Sequence, residues 1–231
     1  KFREQMQAAH GANLVAIVHY GGAVADADLG AVTGLRVLVV LKDITPADLR
    51  MARGALHEWT EGGNPPPVYF TPAEIAASSD VFPIEFLDMM ENRRVVHGED
   101  PFVGLEVATS HLRHQVEFEL RGKLVRLRDL YTRASESPEL VTALLVSSLG
   151  TFAKFFRFAL KLAGKTSPPS RRKAIYGAIR TFELDPAPFE AILAALTSDS
   201  SLSESEAHAT FGAYVQQIER VIDAVDRIPD A

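Results

Sequence analysis

The groups best suited to chemistry gather around two adjacent glycines. Gly21 and Gly22 follow an almost unbroken apolar run, residues 14–20. Lacking a Cβ, each lets the backbone approach a phosphate closely and offer its amide to the anion. A tight strand exit would use the same two residues. Arg36 is the one charge inside a second apolar run, residues 35–41. A cation within a buried strand requires an anion beside it, either a carboxylate of the chain or a phosphate of a ligand. Asp26 and Asp28 have the one-residue separation of a metal-binding carboxylate pair, but the small residues around them read as a solvated loop. Asp43, at the far end of the second run, reads as a turn or capping residue.

The second half offers weaker signals. His111 and His114 stand at i and i+3 on one helix, a spacing at which two histidines can share a metal. No third ligand is evident, and surface histidines are the commoner explanation of such a pair. Arg113, Arg121, Lys123, Arg126 and Arg128 make this helix basic, interrupted by Glu117, Glu119 and Asp129. The spacing predicts intrahelical pairs of Glu117 with Arg121 and Glu119 with Lys123. Ser170-Arg171-Arg172-Lys173 is a second basic cluster. It lies at a helix start, where cations oppose the helix dipole, so either an anionic partner or plain solvent exposure explains it.

The elements that must position these groups are well punctuated. Residues 1–10 read as a short helix stopped at Gly11 and Asn13, and residues 14–20 as a strand buried on both faces. Thr45-Pro46 with Asp48, and Thr71-Pro72 with Glu74, carry matching helix-start signals. The first of these helices runs to Gly62-Gly63, and residues 68–70 form a short strand between the two. Residues 83–90 read as a further strand, with 93–98 able to pair with it. Beyond residue 104 the pattern is helical: 107–134, 138–163, 169–183, 188–197 and 204–228, each break carrying proline, glycine or serine. The second of these is apolar nearly all round, which makes it the centre of a bundle.

Strand, Gly21-Gly22, a loop, then a strand resembles the nucleotidyltransferase superfamily, which includes DNA polymerase beta and the aminoglycoside nucleotidyltransferases. The resemblance implies an α+β chain. A small mixed β-sheet domain of nucleotidyltransferase type would occupy residues 1–104, and an all-α antiparallel helical bundle residues 105–231. In that family the second strand carries an Asp-hydrophobic-Asp pair for magnesium, with a third carboxylate on a neighbouring strand. Here the pair's positions hold Gly34 and Arg36, while Glu85 stands where the third carboxylate is expected and Asp88 falls on the opposite strand face. The expectation is an ion pair of Glu85 with Arg36 filling the vacated metal position. The expected ligand-binding residues are thus Gly21, Gly22, Arg36 and Glu85, with no catalytic residue and no metal ligand assigned.

Composition sets wider limits. The chain has 231 residues, a net charge of -6 and no cysteine, which rules out disulfides and thiolate metal sites. Its acidity gives no general attraction for nucleic acid or anionic membranes, and the cytoplasm is the expected compartment. Three readings follow. The first is a catalytically degenerate nucleotidyltransferase-like protein, a pseudoenzyme, holding a nucleotide or other anionic small molecule in a cleft between the domains. The second is an active enzyme that rebuilds a magnesium site from Glu85, Asp88 or the loop acids, the one reading with a metal cofactor. The third is a regulatory or antitoxin-like module with a protein partner. Apolar bundle faces leave room for a homodimer.

Overall fold

A computed structural model of the chain describes residues 1–21, 35–91, 93–166, 168, 170–198 and 200–229. These form two compact units, one ending at Ala108 and the other beginning at Thr109.

The first unit opens with α1 (Phe2–His10) and a single 3-10 turn (Gly11–Asn13), then β1 (Leu14–Tyr20). After β2 (Arg36–Leu41), the Thr45 start signal opens α2 (Pro46–Met51) with a full capping box between Thr45 and Asp48. The helix expected to continue to Gly62 instead breaks at Ala52 and restarts as α3 (Arg53–Glu61). A second capping box, Thr71 with Glu74, starts α4 (Pro72–Ala77) after β3 (Val68–Phe70). Then come α5 (Pro83–Glu91) and β4 (Arg93–His97).

Residues 83–90, expected as a strand, are therefore helical. Six of the nine residues of α5 are buried, so the segment lacks the two-residue alternation of a strand and equally lacks a clean helical stripe. The strand expected to pair with it, β4, lies antiparallel against β1. The sheet runs β3-β2-β1-β4, with β1 antiparallel to both neighbours and β3 parallel to β2. It is a mixed sheet.

Alternation along β1 and β2 gives this sheet two cores. Ile17, Val37, Val39 and Leu41 pack with Met6, Ala52, Ala55 and Trp59 on the α1 to α3 side. Ala16, Val18, Leu38 and Val40 pack on the other side with Ile75 of α4, with Phe86 and Met89 of α5, and with Phe102. Tyr20 lies two residues beyond Val18 and Arg36 two before Leu38, so the pleat turns both toward α5. They are also directly opposite one another across the strand pair.

The second unit is helical: α6 (Thr109–Ala134), α7 (Pro138–Leu162), α8 (Arg171–Thr181), α9 (Ala187–Ser198) and α10 (Glu204–Asp226). Helix α7 packs against the other four and buries Leu145, Leu149, Phe152, Phe155, Phe156 and Leu160. It is long and apolar enough to cross a membrane, but its apolar surface is used inside the bundle, where 61% of its most apolar window is buried. Phe156, Phe189 and Tyr214 join α7, α9 and α10 through edge-to-face ring contacts.

Candidate functional site

The candidate site forms at the end of β1. Gly21 has φ +80°, in the left-handed region that only glycine enters without strain. A Cβ placed on it would lie 3.6 Å from Cδ of Arg36, so the arginine stem runs alongside the turn. From there Nη1 of Arg36 donates to Oδ2 of Asp88 at 3.3 Å. The arginine side chain is one-third exposed and that of Asp88 is 11% exposed, so this cation sits at the rim of the core with its guanidinium still reachable.

The carboxylate facing Arg36 is thus Asp88, where Glu85 was expected. The helical form of residues 83–91 supplies the reason. On a strand, positions 85 and 88 point to opposite faces; on a helix they are separated by three residues and share one side. Glu85 is the more exposed of the two, and its charge is nonetheless felt at Tyr20. The Tyr20 hydroxyl is pushed above its ordinary value by burial; Arg36 opposes the shift, and Asp88 and Glu85 reinforce it. The site therefore unites Tyr20, Gly21, Arg36, Glu85 and Asp88. Gly22 and Gly34, like Asp26 and Asp28, lie outside the described residues.

Sequence reasoning passed over Tyr20. The available signal was parity: Tyr20 has the same alternation as Ala16 and Val18 and immediately precedes the glycine turn. On the opposite face of the sheet, His19 approaches Trp59 with a 6.5 Å ring separation. Burial first, and the neighbouring Arg94 second, lower the pKa of that imidazole.

In the second unit the basic run of α6 is taken up by ion pairs. Nε of Arg121 donates to Glu117 at 2.8 Å, and Lys123 meets Glu119 at 3.3 Å. Arg126 pairs with Asp129 at 2.7 Å, Arg128 pairs with Glu219 of α10, and Arg113 lies 3.8 Å from Asp226. His111 and His114 are exposed, the latter with Nε2 2.9 Å from Nη2 of Arg113. Among the described residues, no group of three or more histidine, aspartate or glutamate side chains is placed to hold a metal ion.

No protein-family model matches the chain, and no curated protein matches it. Among solved structures the chain is similar to the crystal structure of spectinomycin adenyltransferase AAD(9) from Enterococcus faecialis with ATP and spectinomycin. The TM-score is 0.54 at 12% identity, covering 97% of this chain and 96% of that one. The likeness gives the fold alone: an α+β chain with a small mixed sheet followed by a helical region, arranged as in that adenyltransferase structure.

Proposed function

We propose that this chain keeps the nucleotidyltransferase scaffold but not its metal-dependent transfer, and that it binds a nucleotide or another small anion at the Gly21 turn. One observation carries the reading. Arg36, at a position where the resemblance expects a magnesium carboxylate, lies beside Gly21 and is held by Asp88 at 3.3 Å. A guanidinium there repels a divalent cation and is itself a donor to phosphate oxygens. Bound phosphate would be neutralised by the fixed Arg36 and by glycine amides, in place of a metal ion. A nucleotide is the first ligand to try, since the similar adenyltransferase structure holds ATP.

Isothermal titration with ATP, with and without magnesium, tests this. The expected result is an affinity that magnesium leaves unchanged, with no pyrophosphate released in the presence of candidate acceptors. Magnesium-dependent binding accompanied by pyrophosphate release would overturn the reading. A second arm combines Gly34→Asp with Arg36→Asp. Gain of magnesium binding supports the correspondence of these positions with the metal pair, and no gain counts against it.

A further inference from the structure

The cluster at 170–173 acquires a setting once the helices are in place. A groove of about 990 Å³ opens in the second unit, lined by Leu160 of α7, by Lys165, Thr166 and Pro168 of the following linker, and by one stripe of α8. The stripe is Lys173, Tyr176, Gly177, Arg180 and Thr181. Lys173, Tyr176, Gly177 and Arg180 follow i, i+3, i+4 and i+7, the spacing that lines up side chains along one helix face. Thr181 adjoins it at the helix end.

Local structure explains why the cations converge. Gly164, with φ +70°, ends α7 in a Schellman turn: its amide donates to Lys161 O at 3.0 Å, and the amide of Lys165 donates to Leu160 O at 2.9 Å. That closure folds Lys165 back over the turn that begins at Leu160. Gly177 then brings α8 close to α7, since a Cβ there would lie 2.9 Å from Cδ1 of Leu160. Lys165 from the linker, Lys173 from the first turn of α8 and Arg180 from its last turn thus share one cavity wall. The lining includes three cations and no carboxylate. Among the described residues no ion pair neutralises any of the three, in contrast to the paired cations of α6.

We propose that this groove, lined by residues of the second unit, is itself an anion site that takes a small polyanion with two or more linked phosphoryl groups. Three cations around one cavity match a ligand of about three negative charges, and arginine and lysine are the usual partners of phosphate. Thr166 and Thr181 add hydroxyl donors, and Tyr176 adds an aromatic surface. The concavity and the net charge of -6 favour a small ligand over a nucleic acid, which needs an extended positive face. Such a group comes either as a free polyphosphate chain or as the tail of a nucleotide, and Tyr176 separates the two.

Titration of the full chain with inorganic tripolyphosphate, followed by calorimetry, is the test. The triple variant Lys165→Gln, Lys173→Gln, Arg180→Gln changes only exposed side chains and should weaken binding about tenfold or more. Unchanged far-UV and near-UV circular dichroism would establish that the variant is folded. In Arg36→Ala, which removes the guanidinium of the Gly21 turn, tripolyphosphate should still bind, and adding the triple substitution should abolish the binding that remains. In the Arg36→Ala background, equal affinities for ATP and tripolyphosphate assign a free polyphosphate chain. Tighter ATP binding that Tyr176→Ala abolishes assigns a nucleotide. The proposal is overturned if the unaltered chain does not bind tripolyphosphate, if the triple variant binds it equally well, or if Arg36→Ala alone removes it.

Discussion

Arg36 and Asp88 are the pair on which the first site depends, and their partial burial sets what the pair contributes. With side chains 33% and 11% exposed, the two charges are shielded from water too well to behave as a surface pair. Removing either takes one charged partner from the other at the rim of the core. Asp88→Ala should therefore cost about 1–3 kcal/mol of unfolding free energy, and a double-mutant cycle with Arg36→Ala should give a coupling of about 0.5–2 kcal/mol. Zero coupling in urea titrations would mean that the contact contributes nothing. A second residue-scale prediction concerns His10, which is 5% exposed and whose two ring nitrogens have no hydrogen-bond partner among the described residues. Burial lowers its pKa from the ordinary 6.5, with Asp48 opposing, and His19 shifts the same way. Between the folded value and 6.5 the unfolded chain holds more protons, so stability rises with pH through that window and is complete above it. Acidification from about pH 7.5 to about pH 5.5 should lower the melting temperature, and His10→Phe should reduce that drop. An equal drop in both proteins would exclude His10 as a source. At this scale the sequence exposed Arg36, because a lone charge in an apolar strand is conspicuous. It concealed the partner, because Asp88 faces Arg36 only when residues 83–91 are helical.

Elements with strong end signals could be read before any coordinates. Thr45-Pro46 and Thr71-Pro72 each place a hydroxyl acceptor, a proline and an acid in the order a helix start requires, and both capping boxes form. Thr71→Ala should accordingly cost about 1 kcal/mol, read as a lowered urea midpoint. Helix α5 lacks that punctuation and is buried on nearly every side, so neither a two-residue nor a 3.6-residue period stands out. The pairing of β4 with β1 was hidden for a related reason: it is a long-range contact, and the misread neighbour offered a closer partner. Gly98 is where that pairing is most exposed to test. Its φ is +73°, and a Cβ there would fall 1.9 Å from the carbonyl oxygen of Val15, a backbone atom that cannot swing aside. Gly98→Ala must therefore separate β4 from β1 at this point and should destabilise by about 3 kcal/mol or more, through left-handed strain and the clash together. A loss below about 1 kcal/mol would place Gly98 in looser surroundings than these.

The charge distribution of the whole chain decides what kind of polyanion it can hold. The sum is -6, so at long range the protein repels nucleic acid, and attraction must come from local groups within a screening length of about 8–10 Å at ordinary salt. Most cations of α6 are engaged by Glu117, Glu119, Asp129, Glu219 and Asp226, which leaves no open basic stripe along that helix. The cations around Lys165, Lys173 and Arg180 are instead gathered about one concavity. A duplex presents phosphates in a long row and gains affinity from many separated contacts, whereas a short polyphosphate places its charge in a volume such a groove can enclose. The two ligands should therefore part company in one buffer. At about 150 mM salt a labelled duplex of about 20 base pairs should show no anisotropy change up to roughly 100 µM protein, a range in which general nucleic-acid binders respond. Tripolyphosphate should bind under the same conditions, and its affinity should fall as salt is raised, because the cations that hold it are exposed. Duplex binding that the triple groove variant abolishes would give the groove to nucleic acid, and the local charge would then have outweighed the acidity of the chain.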